Sequence, residues 1–292
     1  MSDRRARELC ATVIALTPMH RATFEANQGR AVHALFLRLV GQADPGLSER
    51  LHDEAQVKPF TCSNVWRTRP ASSPPRAGRD EAGRRSMLTE AALGEEWQVR
   101  FTTLSGDLTR LWMERVLPAL PSEVTLSEAT YRVIGTTCSA EENSWAGAAS
   151  YADLAAPYLL GSAPPPTRWP FSFVSPTAFH SGGMTVPLPL PDLLFGSLLD
   201  RWNAWSPVAL NPEIRRYAQE CIAISRYTLR SRALRFRENS VQRGAVGRCE
   251  YVALNRDRYW CSATSVLAAY AFYSGAGYQT TQGMGTCRWT ER

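Results

Sequence analysis

Apolar residues recur along the chain at two different periods, and the switches between them mark the expected elements. Leu9 to Leu16 is an apolar run of strand length. In RAVHALFLRLVGQADPGLSERLHDEA, Val32, Leu35, Phe36, Leu39 and Val40 recur at helical spacing, Asp44-Pro45 interrupts them, and Leu47 and Leu51 resume the pattern. The spacing predicts a helix with a second helical segment appended. PFTCSNVWR reads as a strand, EEWQVRFTTL alternates at period two, LTRLWMERVLPAL is helical and VTLSEATYRVIGTTCS is strand-like. RPASSPPRAGRDEAGRRS holds nothing to bury and reads as a surface loop.

That series is βαββαβ, the order in which two helices cover one face of a four-stranded antiparallel sheet. A less regular second series follows: a helical NSWAGAASYADLAAPYLL, a proline-rich joint SAPPPTRWP, a strand FSFVSPTAF, a helix PDLLFGSLLDRWNAW, arginine-rich strands, a helix WCSATSVLAAYAFYSGAG and a last strand MGTCRW. The expected fold is therefore α+β, with two tandem ferredoxin-like (RRM-like) domains over residues 1–148 and 149–292 and a C-terminal glycine-rich loop. A length of 292 residues suits two domains, and 44% hydrophobic with 21% charged residues is globular composition. No apolar run reaches the roughly 18 residues of a membrane helix, so the reading is a soluble, cytoplasmic protein that does not engage a membrane. Seven cysteines without a CxxC pair signal neither a zinc site nor a disulfide framework, and they read as reduced core thiols.

Charge changes the picture because it is regional. The net charge is +6, yet residues 201–292 carry 14 arginines against six acidic groups, while residues 1–200 sum to −2. Only one basic residue, Lys58, is a lysine. In RYTLRSRALRFR, Arg230 and Arg232 share one strand face and Arg235 and Arg237 the other parity, which predicts a bulge or turn near Ala233. Guanidinium groups interleaved with aromatic rings, with Arg243 just beyond, suit phosphate contact and base stacking in RNA; a solvated antiparallel face fits equally well.

GAGYQTTQGMG, residues 275–285, places Gly275, Gly277, Gly283 and Gly285 around Gln279, Thr280 and Thr281. It matches neither GxxxxGK[ST] nor a GxGxxG between a first strand and its helix, so no nucleotide cofactor is expected. Helix capping explains the first two glycines; a close approach of backbone to RNA phosphates or to a sheet edge explains all of them. Among the four histidines, His33 lies in the first helix and admits a core or a catalytic reading. His180, in HSGG, reads as solvated, and His52 ends a helical segment just before Lys58, where the protonated form is favoured. Asp53, Glu54, Glu141 and Glu142 read as solvated acids, and no metal site is expected.

These pieces together resemble the CRISPR-associated repeat-processing endoribonucleases, the Cas-six family of the RAMP superfamily. The likeness is most specific in LAAYAFYSGAGYQTTQGMGTCR, and extends to FVSPTAF, VPLPLPDLLFGSLLDRWNAW, NSWAGAASY, VGRCEY and AVHALFLRLVGQADPGLSERLHDEAQVKPFTCS. It implies two ferredoxin-like domains side by side and cleavage of precursor CRISPR RNA within repeats. In that family the ribose 2′-hydroxyl attacks the phosphate without a metal, leaving a 2′,3′-cyclic phosphate and a 5′-hydroxyl. It implies His52 as the catalytic histidine and Lys58 as a charge stabiliser. Where some members carry a tyrosine in the first helix this chain has Leu37, so His33, Arg30 or Arg38 stand as substitutes. The implied partners are CRISPR repeat RNA and the other Cas proteins of an effector complex; a non-catalytic RNA-capping subunit is the alternative.

Overall fold

A computed structural model describes residues 7–53, 57–68, 76–79, 85–237 and 240–290. The N-terminal half opens with β1 (Leu9–Pro18) and β2 (Ala22–Glu25), then α1 (Gly29–Ala43) and α2 (Pro45–Asp53). Strands β3 (Phe60–Cys62), β4 (Trp66–Arg67), β5 (Arg76–Arg79), β6 (Arg85–Ala91) and β7 (Trp97–Thr103) follow. Helix α3 (Gly106–Leu111) runs on through a π-helical turn, Trp112–Val116, into the hairpin of β8 (Glu123–Leu126) and β9 (Ala129–Thr137). The sheet order is β3-β7-β1-β9-β8, which is the ferredoxin-like arrangement with β8 added at one edge.

Helix α1 forms because its apolar stripe has somewhere to go. Val32, Leu35, Phe36, Leu39 and Val40 are all buried. Phe36 stacks on Phe60 at 4.3 Å and on Trp112 at 4.9 Å between ring centroids, tying α1 to β3 and to the π-helical turn that continues α3.

The C-terminal half repeats the topology. Short β10 (Gly147–Ala149) and α4 (Tyr151–Leu159) lead into β11 (Arg168–Thr177) and a small hairpin of β12 (Phe179–Ser181) and β13 (Met184–Val186). Then come α5 (Pro191–Trp205), α6 (Ile214–Cys221), the long pair β14 (Ile222–Arg237) and β15 (Ser240–Ala253), α7 (Arg258–Ser274) and β16 (Cys287–Trp289). The order β14-β15-β11-β16 matches that of the first half position for position. Trp169, Phe171 and Phe173 on β11 alternate inward onto Phe195, Leu198 and Trp202 of α5 and Leu267 and Tyr270 of α7.

Helix α7 also touches β1, β3 and β7, so the sheet face of the first half that α1 leaves uncovered is closed by the second half. Leu9, Ala11 and Leu104 accordingly belong to the C-terminal core. Arg100, 3% exposed, crosses this seam: Nε donates to Trp145 O at 2.7 Å and Nη2 to Phe272 O at 2.6 Å, with the guanidinium 4.6 Å from the Phe272 ring. Burial pulls its pKa down to about 10, so it remains charged at neutral pH.

Three sequence expectations are corrected. The stretch from Asn143 is not helical until Tyr151: β9 leaves β1 at Val13, and β10 takes the vacated edge at Leu9–Ala11. Ser150 and Asp153 then form a capping box that starts α4. Within the expected loop, Arg76–Arg79 and Arg85–Ala91 form a hairpin laid on β2, because backbone pairing along an edge strand needs no apolar side chains. Residues 69–75 and 80–84, with Arg84 among them, lie outside the described residues. β14 runs without a register shift through Ala233, which faces Arg243; the shift falls between Arg235 and Arg237. All seven cysteines are free thiols, five of them buried. No described helix is long and apolar enough to cross a membrane.

Replacing Arg100 by Ala is expected to destabilise the protein by about 2–4 kcal/mol, because it strands two desolvated carbonyls and removes a cation–π contact. Urea denaturation at neutral pH checks this, and an unchanged midpoint contradicts the role of Arg100 as a clamp.

Candidate active site and nucleic-acid interface

Chain geometry brings the N-terminus of α1, the end of α2 and the glycine-rich loop together. The first residue of α1, Gly29, lies against the loop so closely that a Cβ there would sit 2.0 Å from Gln282 O. One turn on, His33 Nδ1 is 3.1 Å from Thr281 O, and its ring stacks on Phe60 at 5.6 Å. His33 is half-buried and His52 exposed. Burial holds the His33 pKa below the usual histidine value; the Thr281 carbonyl opposes the shift, while the positive charges of His52, Lys58 and Arg30 add to it. Lys58 Nζ donates to His52 O at 3.2 Å. The three expected catalytic groups thus converge on one corner, within electrostatic reach of each other.

Leu37 and Arg38 lie one turn further along α1, where they line a hollow of about 560 Å³ with Gly41, Ser48, Glu49 and His52. Arg38 is exposed there. Arg30, also exposed, is engaged: its Nη1 donates to Phe236 O at 2.8 Å, and the neighbouring Asn27 Nδ2 donates to Arg235 O at 2.7 Å. These two bonds pin the β14–β15 hairpin across the front of α1. Beneath it opens a cleft of about 1370 Å³ between the halves, lined by Arg230, Arg232, Arg235, Asn64, Trp66 and Trp145 among others. Arg230 and Arg232 are exposed, as is Arg243 on the facing strand; Arg237 ends β14.

The glycine-rich loop is not an open cradle. Gly275, Gly283, Gly285 and Thr280 are buried, and Gly277, Gln279 and Thr281 partly so. Their neighbours are protein backbone: Tyr278 N donates to Ala178 O, Gly285 N to Pro176 O and Gly283 N to Cys62 O at 2.8, 3.0 and 3.0 Å. Gly277 adopts φ +79°, and a Cβ would lie 2.2 Å from Ala178 O. The close approach to sheet edges accounts for the bare backbone, as the sheet-edge alternative expects. His180, exposed, sits edge-on to Tyr278 at 4.0 Å and away from His33. Among the described residues no three metal-ligating side chains converge.

Sequence reasoning missed Asn64, Asn27, Trp66 and Trp145. Asn64 accepts from Gln28 N and Val65 N and donates to Ala26 O, shaping the cleft wall, but no local signal distinguishes it from a turn asparagine. Trp145 stacks under Arg288 at 4.3 Å, a placement only the tertiary fold creates.

The fold and this corner define a tandem ferredoxin-like protein of the RAMP type. Residues 10–156 match the family model of the CRISPR Cas6 N-terminal domain, and residues 171–287 that of the CRISPR-associated endoribonuclease Cas6. The chain belongs to the Cas6 family. It is similar to a product complex of Cas6 (TTHB231) from Thermus thermophilus, with 28% identity, 97% of this chain and 100% of that one covered, and a TM-score of 0.76. A product complex of Cas6 (TTHA0078) gives 25% identity, 97% and 99% coverage, and a TM-score of 0.72. The product of a Cas6-related gene from Pyrococcus furiosus shares the fold at 13% identity, 97% and 99% coverage, and a TM-score of 0.58. Among curated proteins no relative matches the chain.

Gly277→Ala is expected to cost about 3 kcal/mol or more, since strain at positive φ adds to a carbonyl clash. Gly94→Ala, at φ +80° with no atom within 4 Å of a new Cβ, is expected to cost only the strain of about 1–2 kcal/mol. Parallel denaturant melts check the pair; equal losses would refute the packing account of the loop.

Proposed function

We propose that the protein cleaves precursor CRISPR RNA within its repeats, with no metal in the chemical step, and that product RNA stays in the arginine-lined cleft. The observation that carries this reading is the convergence of His33 of α1 with His52 and Lys58 from α2 and the segment after it. Cleavage by a ribose 2′-hydroxyl requires one proton to be removed, another to be delivered to the leaving 5′-oxygen, and the crowded charge on the phosphorane to be balanced. Two imidazoles and one ammonium supply those three services. Leu37 offers no hydroxyl, so the histidines carry the proton transfers. The products are a 2′,3′-cyclic phosphate and a 5′-hydroxyl.

The arginines supply affinity. Arg230, Arg232 and Arg235 line the cleft and Arg243 extends the same hairpin, so backbone phosphates are their partners and binding weakens with salt. A family relationship to proteins solved as product complexes supports a surface that holds RNA after the cut. Docking onto other Cas proteins follows from retention of the processed RNA.

Incubating the protein in EDTA with end-labelled repeat RNA is expected to give a single cut with a cyclic-phosphate end, and His52→Ala is expected to lower the rate by about 100-fold or more. Binding without a cut by the wild type refutes the enzymatic reading and supports an RNA-capping subunit. Arg230→Ala and Arg232→Ala are each expected to reduce the slope of log affinity against log salt by about 0.7–0.9. Filter-binding titrations at several salt concentrations measure it; unchanged slopes would exclude these side chains from phosphate contact.

A further inference from the structure

A backbone carbonyl accepts hydrogen bonds and cannot donate them, so the 3.1 Å contact between His33 Nδ1 and Thr281 O requires the proton on Nδ1. In water the neutral ring prefers its proton on Nε2, so this contact imposes the minority form. Both ends of the contact are fixed. The imidazole lies against the Phe60 ring, and Phe60 is itself stacked on Phe36 in the core. The Thr281 carbonyl belongs to a single 3-10 turn, Thr280–Gln282, whose first residue is 3% exposed. That turn is held by Gly283 N on Cys62 O and by Gly29 lying flush against Gln282 O.

We propose that the glycine-rich loop positions His33 through the Thr281 carbonyl, leaving the Nε2 lone pair to act as general base on the 2′-hydroxyl. The idea rests on the endoribonuclease reading above. His33 Nε2 takes the 2′-proton, O2′ bonds to phosphorus, the bond from phosphorus to O5′ breaks, and O5′ takes a proton from the His52 imidazolium. One proton has then moved from His52 to His33, and exchange with water restores both. The charged groups facing His33 are His52 and Lys58 from α2 and the segment after it, and Arg30 from its own helix. Phe60 from β3 and residues 280–282 bring none. All three facing charges disfavour a second proton on the ring, as burial does, and this favours the neutral His33 that a general base needs.

Replacement of His33 by Asn separates positioning from chemistry. The Asn amide nitrogen occupies the place of Nδ1 and retains the bond to Thr281 O, but nothing replaces Nε2. H33N is expected to keep the wild-type melting temperature and repeat-RNA affinity while single-turnover cleavage falls by about 100-fold or more. H33A, which loses the bond as well, is expected to lower the melting temperature too. Nitrogen NMR of the wild-type imidazoles near pH 8 is expected to show His33 protonated at Nδ1. The acid limb of the cleavage rate is expected to lie below pH 6.5, the ordinary histidine value, because activity needs the neutral ring.

Cleavage by H33N near the wild-type rate overturns the proposal, and so does an NMR spectrum with the His33 proton on Nε2. Binding without cleavage by the wild type overturns the underlying function instead, and the NMR result then stands alone on whether the loop sets the tautomer.

Discussion

The backbone of residues 276–285 runs in the seam between two sheets and hydrogen-bonds to both. It reaches Ala178 O and Pro176 O at the end of β11 on one side and Cys62 O at the end of β3 on the other. Backbone-to-backbone approach this close leaves no room for Cβ atoms, which is why the segment is so bare. Everything at the candidate site depends on that seam. It sets where Thr281 O lies, hence how His33 is held, and it fixes Gly29 and the start of α1 against the second half of the molecule. Met284, 1% exposed, packs with Phe236 and Ala178, so the loop also seats the tip of the arginine hairpin.

A second constraint decides which surfaces are left for RNA. In an isolated ferredoxin-like sheet, the face opposite the helices is free. Here the N-terminal sheet has lost that face to α7, and Arg100 makes the loss permanent by capping the carbonyl of Phe272 near the end of that helix. A buried guanidinium with carbonyl and aromatic partners is costly to desolvate and costly to abandon. Between the halves, among the described residues, lies the cleft under the β14–β15 hairpin. Asn27 and Arg30 hold the hairpin above it through Arg235 O and Phe236 O, so the residues around the start of α1 link the hairpin to the candidate site.

The fold was legible because both halves obey local rules. The 3.6-residue stripe of α1, the period-two alternation of Trp97–Thr103, and the arginine-rich strands carried their own signal, whereas Arg168–Pro170 reads as part of a proline-rich joint and opens β11 instead. What failed had a tertiary cause. Asn143–Ala149 looks helical by composition, but an edge of β1 vacated by β9 draws Gly147–Ala149 into a strand. The arginine-rich hairpin beside β2 has no apolar pattern, since pairing along an edge needs none. At the candidate site, the sequence offers His33 and His52 as alternatives that differ only in what surrounds them, and those surroundings are set by the tertiary fold.

That difference follows from depth. His33 projects from α1 towards the loop, gains a carbonyl and an aromatic face, and lies half out of water beside three positive groups. His52 lies exposed in the last turn of α2. Two imidazoles in one corner would compete for the same protonation state if their surroundings were equal; unequal burial is what lets the proposed mechanism divide the two proton transfers between them. A hydroxyl at position 37 would make a third proton-transfer group available. With leucine there, the proposed chemistry of the corner rests on how differently the fold treats two copies of the same side chain.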